Sequence, residues 1–289
     1  MIRPRTAALI CVSLGALALT ACTPLTAFNT LTPKDSAVTA ARDIAYGQGP
    51  RHKLDIYAPR GAKAPVPVLV YFYGGGWSTG RRQDYSFVGK ALASRGFLTV
   101  LPDYRLYPEV RYPDFLKDGA AAIRWVQDHA AEYGGDPSRI VLAGHSAGGY
   151  NAVMLALDTE FVRAAGVRPG VIRAAAGLAG PYDFAPFTEA YSKNAFGQYP
   201  DPAATQPIHY VETDSVPIWM GYGLKDTVVY PQNIDSLERA LKAKGVVYEA
   251  RRYPDVDHAG MVLALSQPFR GKAPVLAEMT AFLKRYAGD

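Results

Sequence analysis

Cysteine is almost absent: the 289 residues include two, Cys11 and Cys22. Cys11 sits in an apolar N-terminal stretch that reads as a removable leader, so the mature chain keeps only Cys22 and no internal disulfide can form. No metal site is expected. There is no cluster of one charge sign either. Of 31 basic residues, two (Arg3 and Arg5) fall in the leader, leaving 29 against 26 acidic ones, scattered along the chain. That pattern gives nucleic-acid binding no support. Long apolar runs are missing as well, since the stretch from Ala7 to Ala21 is too short for a permanent membrane span. Internal repeats are lacking. Stability therefore has to come from a buried core, and the chain is long enough for one large domain.

The N-terminus has its own logic. Arg3 and Arg5 precede the apolar stretch, which ends in Leu19-Thr20-Ala21-Cys22. This resembles a bacterial lipobox. Residues 1–21 are then a lipoprotein signal peptide, and cleavage leaves Cys22 to carry lipid on its sulfur and amine. Several acyl chains anchor a protein stably where one does not. Thr23 rather than Asp follows the cysteine, which by analogy with bacterial sorting points to the outer membrane, facing the periplasm. The competing reading is an ordinary signal peptide with Cys22 a bystander. Residues 22–45, rich in Thr, Ala, Pro and Asn without periodicity, read as a tether.

From residue 46 to 289 strands and helices alternate. Lys53–Tyr57 has the alternation of an antiparallel edge strand, and Val66–Phe72 is apolar enough for a strand covered on both faces. Further strands are expected at 97–101, 139–143, 174–178, 216–221 and 247–253. Helices are expected at 85–95, 113–133, 147–157, 234–244 and 273–286. Such alternation predicts an α/β fold: a mostly parallel central sheet with helices on both faces, and sites at the carboxyl ends of its strands. Residues 183–214 interrupt it with six aromatics and four prolines, a lid-like insertion or an ordinary packed connection.

Gly144-His145-Ser146-Ala147-Gly148 follows the strand at 139–143. A sharp strand-to-helix turn there would hold the Ser146 hydroxyl above the sheet. A serine needs a base, and the base an orienting acid. Five histidines compete: His52, His129, His145, His209 and His258. In sheets of this type the acid and then the histidine follow the serine, which removes His52 and His129. His145 is adjacent to the serine, and its side chain is expected to point away. His209 precedes any acid at a strand exit. His258, in the loop after the strand at 247–253, remains. Asp226 stands at the exit of the preceding strand and could accept the other imidazole N–H. Asp255 and Asp257 are rivals, better suited to the loop's own turn. Gly74-Gly75-Gly76, after the strand at 66–72, can aim backbone N–H groups at an oxyanion. Gly75, Gly76 and Ala147 are the candidate donors. Trp77, Tyr182 and Phe187 are the candidate substrate contacts.

Taken in order, Gly74-Gly75-Gly76-Trp77, Asp103-Tyr104-Arg105-Leu106, Gly144-His145-Ser146-Ala147-Gly148-Gly149, Gly180-Pro181-Tyr182-Asp183 and the Asp226 and His258 segments resemble the α/β-hydrolase superfamily. Within it they are most similar to bacterial esterases of the hormone-sensitive-lipase-like and arylformamidase-like groups. The resemblance implies hydrolysis of small-molecule carboxylic esters, short-chain or aryl, through an acyl-enzyme, with Ser146, Asp226 and His258 as triad and no cofactor. It leaves open an arylformamidase-type amidase and a non-catalytic interaction module. One residue departs from the pattern: the family usually has His before the glycines, and here it is Tyr73. Asp103, Tyr104 and Arg105 read as a buried polar network, Arg81 and Arg82 as exposed.

Overall fold

Residues 24–45 belong to the folded domain rather than to a bare tether. The structure, a computed structural model, describes residues 24–63 and 65–288, so the expected signal peptide and Cys22 lie outside the described residues. Pro24–Leu31 forms helix α1 and Ala37–Ala45 forms strand β1. Few apolar side chains hold α1, which is why periodicity did not announce it. Asn29 does much of the work. Its Nδ2 donates to the Gln83 carbonyl at 2.9 Å, and its Oδ1 accepts from Ser86 Oγ and the Phe87 N–H. Phe28 adds an edge-on contact with Phe87, ring centroids 5.2 Å apart.

β1 is the true sheet edge. It pairs antiparallel with β2 (Lys53–Pro59), which pairs antiparallel with β4 (Leu98–Pro102) on its other side. The expected edge position of β2 is therefore corrected. Its polar alternant Asp55 faces the guanidinium of Arg82, not water. The remaining elements are β3 (Val66–Phe72), α2 (Ser86–Ala93), β4 (Leu98–Pro102), α3 (Asp114–His129), β5 (Gly135–His145), α4 (Ala147–Leu157), α5 (Thr159–Ala164) and β6 (Ile172–Leu178). After them come α6 (Ala190–Phe196), β7 (Ile218–Gly223), α7 (Gln232–Lys244), β8 (Tyr248–Tyr253), α8 (His258–Leu263) and α9 (Val275–Ala287).

The sheet order is β1-β2-β4-β3-β5-β6-β7-β8, parallel from β4 to β8. Helices α2 and α9 pack together against it, and α3, α4 and α5 form a separate group. The central strands are buried on both sides. Val68–Phe72 and Ile140–Ala143 have no exposed surface, which explains their unbroken apolar sequences. The carboxyl ends of β3, β5, β7 and β8 lie along one edge of this layer, and the candidate site stands there.

Arg82 corrects another expectation. It is 2% exposed, in a 3₁₀ turn (Arg82–Tyr85) before α2, and pairs with Asp43, Asp55 and Asp103. A buried guanidinium needs such company, because an unpaired buried charge costs several kcal/mol, about 3–5 when one partner of a pair is removed.

Candidate active site

Between β5 and α4 the chain turns in one residue. Ser146 has φ 55° and ψ −123°, a left-handed conformation that costs about 1–3 kcal/mol for a residue with a Cβ. Neighbouring contacts hold it there. Its N–H donates to the Leu178 carbonyl of β6 at 2.8 Å, and its carbonyl accepts from Tyr150. The flanking glycines are a packing requirement. A Cβ on Gly148 would lie 2.0 Å from the Phe72 carbonyl oxygen, and one on Gly144 would lie 2.1 Å from that of Gly148.

Ser146 Oγ lies 2.9 Å from His258 Nε2, and His258 Nδ1 lies 2.8 Å from Asp226 Oδ2. Asp226 divides its two oxygens. Oδ2 takes the imidazole, while Oδ1 accepts the N–H groups of Val228 and Val229 at 2.8 and 2.9 Å. Burial alone would raise this carboxyl. The hydrogen bond and charge of His258, with the two backbone donors, outweigh it and hold Asp226 below the ordinary carboxylate range. The rivals are occupied elsewhere: Asp255 pairs with Lys225 at the surface, and Asp257 caps α8 through the Gly260 N–H. His258 is the first residue of α8 rather than part of a free loop.

His145, expected to point away from Ser146, makes its contacts with His258. Its ring lies 4.8 Å from that of His258, and its Nε2–H donates to the His258 backbone carbonyl at 2.8 Å. Burial, reinforced by the positive charge that His258 can carry, pushes its pKa down to about 3, so the imidazole is neutral. The sequence cue was available only in part: a histidine at a strand end is visible, but the partner lies 113 residues away.

The glycine loop after β3 faces the serine. Gly74, Gly75 and Gly76 line the same cleft as Ser146, Ala147 and His258, a cavity of about 250 Å³. Ala147 opens α4, so its N–H has no partner within the helix and stays available to a ligand. Tyr73, standing where the family usually has histidine, braces the loop from beneath. Its hydroxyl donates to Asp103 Oδ1 at 2.9 Å and accepts from Arg51 at 2.7 Å. Its ring stacks between Tyr104 and Tyr85 at 4.8 and 5.4 Å, and the Tyr104 hydroxyl donates to the Tyr73 carbonyl.

Trp77 lines the cleft but is fixed rather than free, with Nε1 donating to Asn151 Oδ1 at 3.0 Å. Two expected substrate contacts are elsewhere. Tyr182 is buried against Gly177 and Gly180, tied by its N–H to Asn233 Oδ1, and does not line the cleft. Phe187 packs on Phe184 and Phe196 inside the insertion. Tyr85, Pro181, Tyr191, Val228 and Val229 line the cleft in their place. Val228 and Val229 were within reach of sequence reasoning, since they follow Asp226 directly. Tyr85 and Tyr191 were not, because only the fold brings their elements to the serine.

A strained serine at a strand-to-helix turn, a histidine and an acid from later strand ends, and an eight-stranded, mostly parallel sheet define the α/β-hydrolase fold. Residues 54–241, more than half of the chain, match the BD-FAE family, and the chain belongs to it. Among curated proteins it is similar to a probable isoprenylcysteine alpha-carbonyl methylesterase of Arabidopsis thaliana, 36% identical over 49% of this chain and 31% of the relative. It is also similar to carboxylesterase NlhH of Mycobacterium tuberculosis, 47% identical over 36% of this chain and 34% of the relative. The chain spans about a third of the length of these relatives. Among solved structures, a truncated carbohydrate esterase from gut microbiota superposes with a TM-score of 0.78 at 22% identity, covering 89% of this chain and 99% of that one.

Proposed function

We propose that this chain is a serine carboxylic-ester hydrolase acting on short-chain or aryl esters of small molecules. The observation that carries the reading is the continuous Ser146–His258–Asp226 hydrogen-bond chain facing a mostly apolar cleft beside a glycine loop. Relatives named as carboxylesterases and methylesterases support it.

In this reading His258 Nε2 takes the proton as Ser146 Oγ attacks the ester carbonyl. The imidazolium is stabilised by Asp226, whose carboxylate stays charged through the neutral range. The N–H groups of Gly75, Gly76 and Ala147 receive the developing oxyanion. His258 then passes its proton to the leaving alcohol. Water, deprotonated by the same imidazole, releases the acid and restores the serine. Ser146→Ala is the test. The wild type should turn over p-nitrophenyl butyrate and be labelled by a fluorophosphonate, and the variant should do neither while unfolding at the same temperature. Retained turnover in the variant would remove Ser146 from the mechanism.

A lipid anchor at Cys22 and an outer-membrane location belong to the same proposal. The lipobox-like Leu19-Thr20-Ala21-Cys22 supports them. Because α1 begins at Pro24, such an anchor would hold the domain close to the bilayer. Among the described residues no helix is long and apolar enough to cross a membrane. Cys22→Ala should move the protein from the membrane to the soluble fraction and abolish palmitate incorporation.

A further inference from the structure

The cleft at Ser146 has a neighbour. A second cavity, of about 260 Å³, lies beside it, and the two share Pro181, Tyr191, Val228 and Val229 as common lining. Of these four, Tyr191 has by far the largest side chain. It comes from α6 in the insertion, and the base of its side chain is pressed against the glycine loop: a Cβ on Gly76 would lie 3.1 Å from Tyr191 Cβ. The Tyr191 ring also lies 6.4 Å from the fixed Trp77 ring. The next residue, Ser192, is buried, and its Oγ donates to the Glu189 carbonyl at 2.9 Å, securing the first turn of α6.

We infer that Tyr191 is a specificity-determining residue, a partition that closes the Ser146 cleft off from the second cavity and so limits the acyl group to a short one. This rests on the ester-hydrolase reading above. In this assignment the half of the ester lodged against Gly76 and Tyr191 is the acyl half, because Gly76 belongs to the loop that would receive the carbonyl oxygen, while the leaving oxygen turns to His258 Nε2. Removing the ring joins two cavities of nearly equal size and roughly doubles the room for that half.

The space behind the partition suits an apolar chain or an aryl ring. Its walls include Phe184 and Pro186; Thr188, Glu189 and Tyr230 line it from exposed positions, and its buried Asn233, with the neighbouring Gln232, is engaged with backbone. Asn233 accepts from the Tyr182 and Asp183 N–H groups and donates to the Tyr230 carbonyl, and Gln232 donates to the Asp183 carbonyl. An alkyl chain or an aryl ring needs no hydrogen-bond partner there, and Phe184 and Pro186 offer it an apolar surface to pack on.

The experiment measures kcat/KM of the full chain on p-nitrophenyl acetate, butyrate, octanoate and benzoate. Tyr191→Ala should raise the octanoate-to-acetate ratio at least tenfold, and Tyr191→Phe, which keeps the ring, should leave it at the wild-type value. Thr188 lines only the far cavity. Thr188→Trp should leave the wild-type profile unchanged and cancel the gain when combined with Tyr191→Ala. An unchanged ratio in Tyr191→Ala with acetate still hydrolysed overturns the partition and leaves the esterase reading standing. A shift confined to a series of acetate esters of growing alcohols overturns it as well. If Tyr191→Ala does not fold, Tyr191→Leu and the rate of Ser146 labelling by short and long alkyl phosphonates read the same ratio. A wild type that hydrolyses none of these esters overturns the esterase reading itself.

Discussion

The imidazole of His145 donates to the backbone carbonyl of His258, 2.8 Å away, and so links the residue before the nucleophile to the residue that would deprotonate it. The hydrogen bond fixes the position of the first residue of α8, whose side chain must reach both Ser146 and Asp226. His145→Leu removes the donor and leaves the His258 carbonyl short of a partner. A loss of about 1–2 kcal/mol in alignment corresponds to a kcat roughly tenfold or more lower. KM is expected to change little, because the cleft walls stay in place. Steady-state kinetics on one short ester checks this.

The same residue makes the fold sensitive to acid. The pKa of His145 is about 3 in the folded protein and close to 6.5 when unfolded, so the unfolded chain binds the extra proton first. Its contribution to stability is complete above pH 6.5 and falls by about 1.4 kcal/mol per pH unit as the pH drops from there toward 3. Urea midpoints of the wild type and His145→Gln at pH 7 and pH 5 should diverge. The wild type should lose more stability between the two than the variant. Equal losses would mean that this imidazole is not the group being protonated.

Asp226 is held below the ordinary carboxylate range, so its contribution runs through a lower window. It is present at neutral pH and disappears only as the pH falls through its depressed folded value. Loss of the Asp226 charge should accordingly not set the acid limb of the rate profile. Asp226→Asn keeps the shape but favours the wrong imidazole tautomer, and kcat at pH 7 should fall by about 10⁴. The unfolding temperature should change far less than the activity.

How legible was this in the sequence? The central strands were, because Val66–Phe72 and the run through Ile140–Ala143 are apolar on both faces and allow no other placement. The three triad candidates were nominated by their positions after strands, which the parallel topology converts into a common edge. What escaped were features carried by polar contacts between distant segments. α1 rests on Asn29, whose partners lie near residue 86. Arg82 looked like a surface charge because its three carboxylates come from β1, β2 and the exit of β4. Tyr182 and Phe187 were expected in the cleft, but Phe187 is used in the aromatic core that the insertion builds for itself, and Tyr182 is buried against Gly177 and Gly180 at the end of β6.

Tyr73 offers a test of how the glycine loop is supported. Its hydroxyl sits between Arg51 and Asp103, one accepting and one donating contact. Tyr73→Phe keeps the stacked ring and removes both. Leaving two polar groups short of a partner should cost about 1–3 kcal/mol of stability. Because Asp103 also holds the Arg82 N–H at 2.8 Å, the loss should spread into the turn that supplies Tyr85 to the cleft. Thermal unfolding reads the first effect and kcat the second. A stable variant with unchanged kcat would show that stacking alone braces the loop.

Gly75 separates strain from catalysis. Its φ is +133°, and a Cβ there would lie 2.2 Å from the Thr79 carbonyl oxygen, a backbone atom that cannot swing aside. Gly75→Ala must therefore shift the loop, and with it the N–H groups that face the oxyanion. Losing one such donor lowers kcat by about 10²–10³. Gly61, with φ +73° and nothing within 4 Å of its hypothetical Cβ, lies far along the chain in a turn between β2 and β3. Gly61→Ala meets only the backbone penalty of a left-handed residue, about 1–2 kcal/mol, and should leave kcat untouched. If the two variants lose stability alike but only Gly75→Ala loses turnover, the loop acts on the reacting carbonyl. If both retain wild-type turnover, the oxyanion is received by other donors.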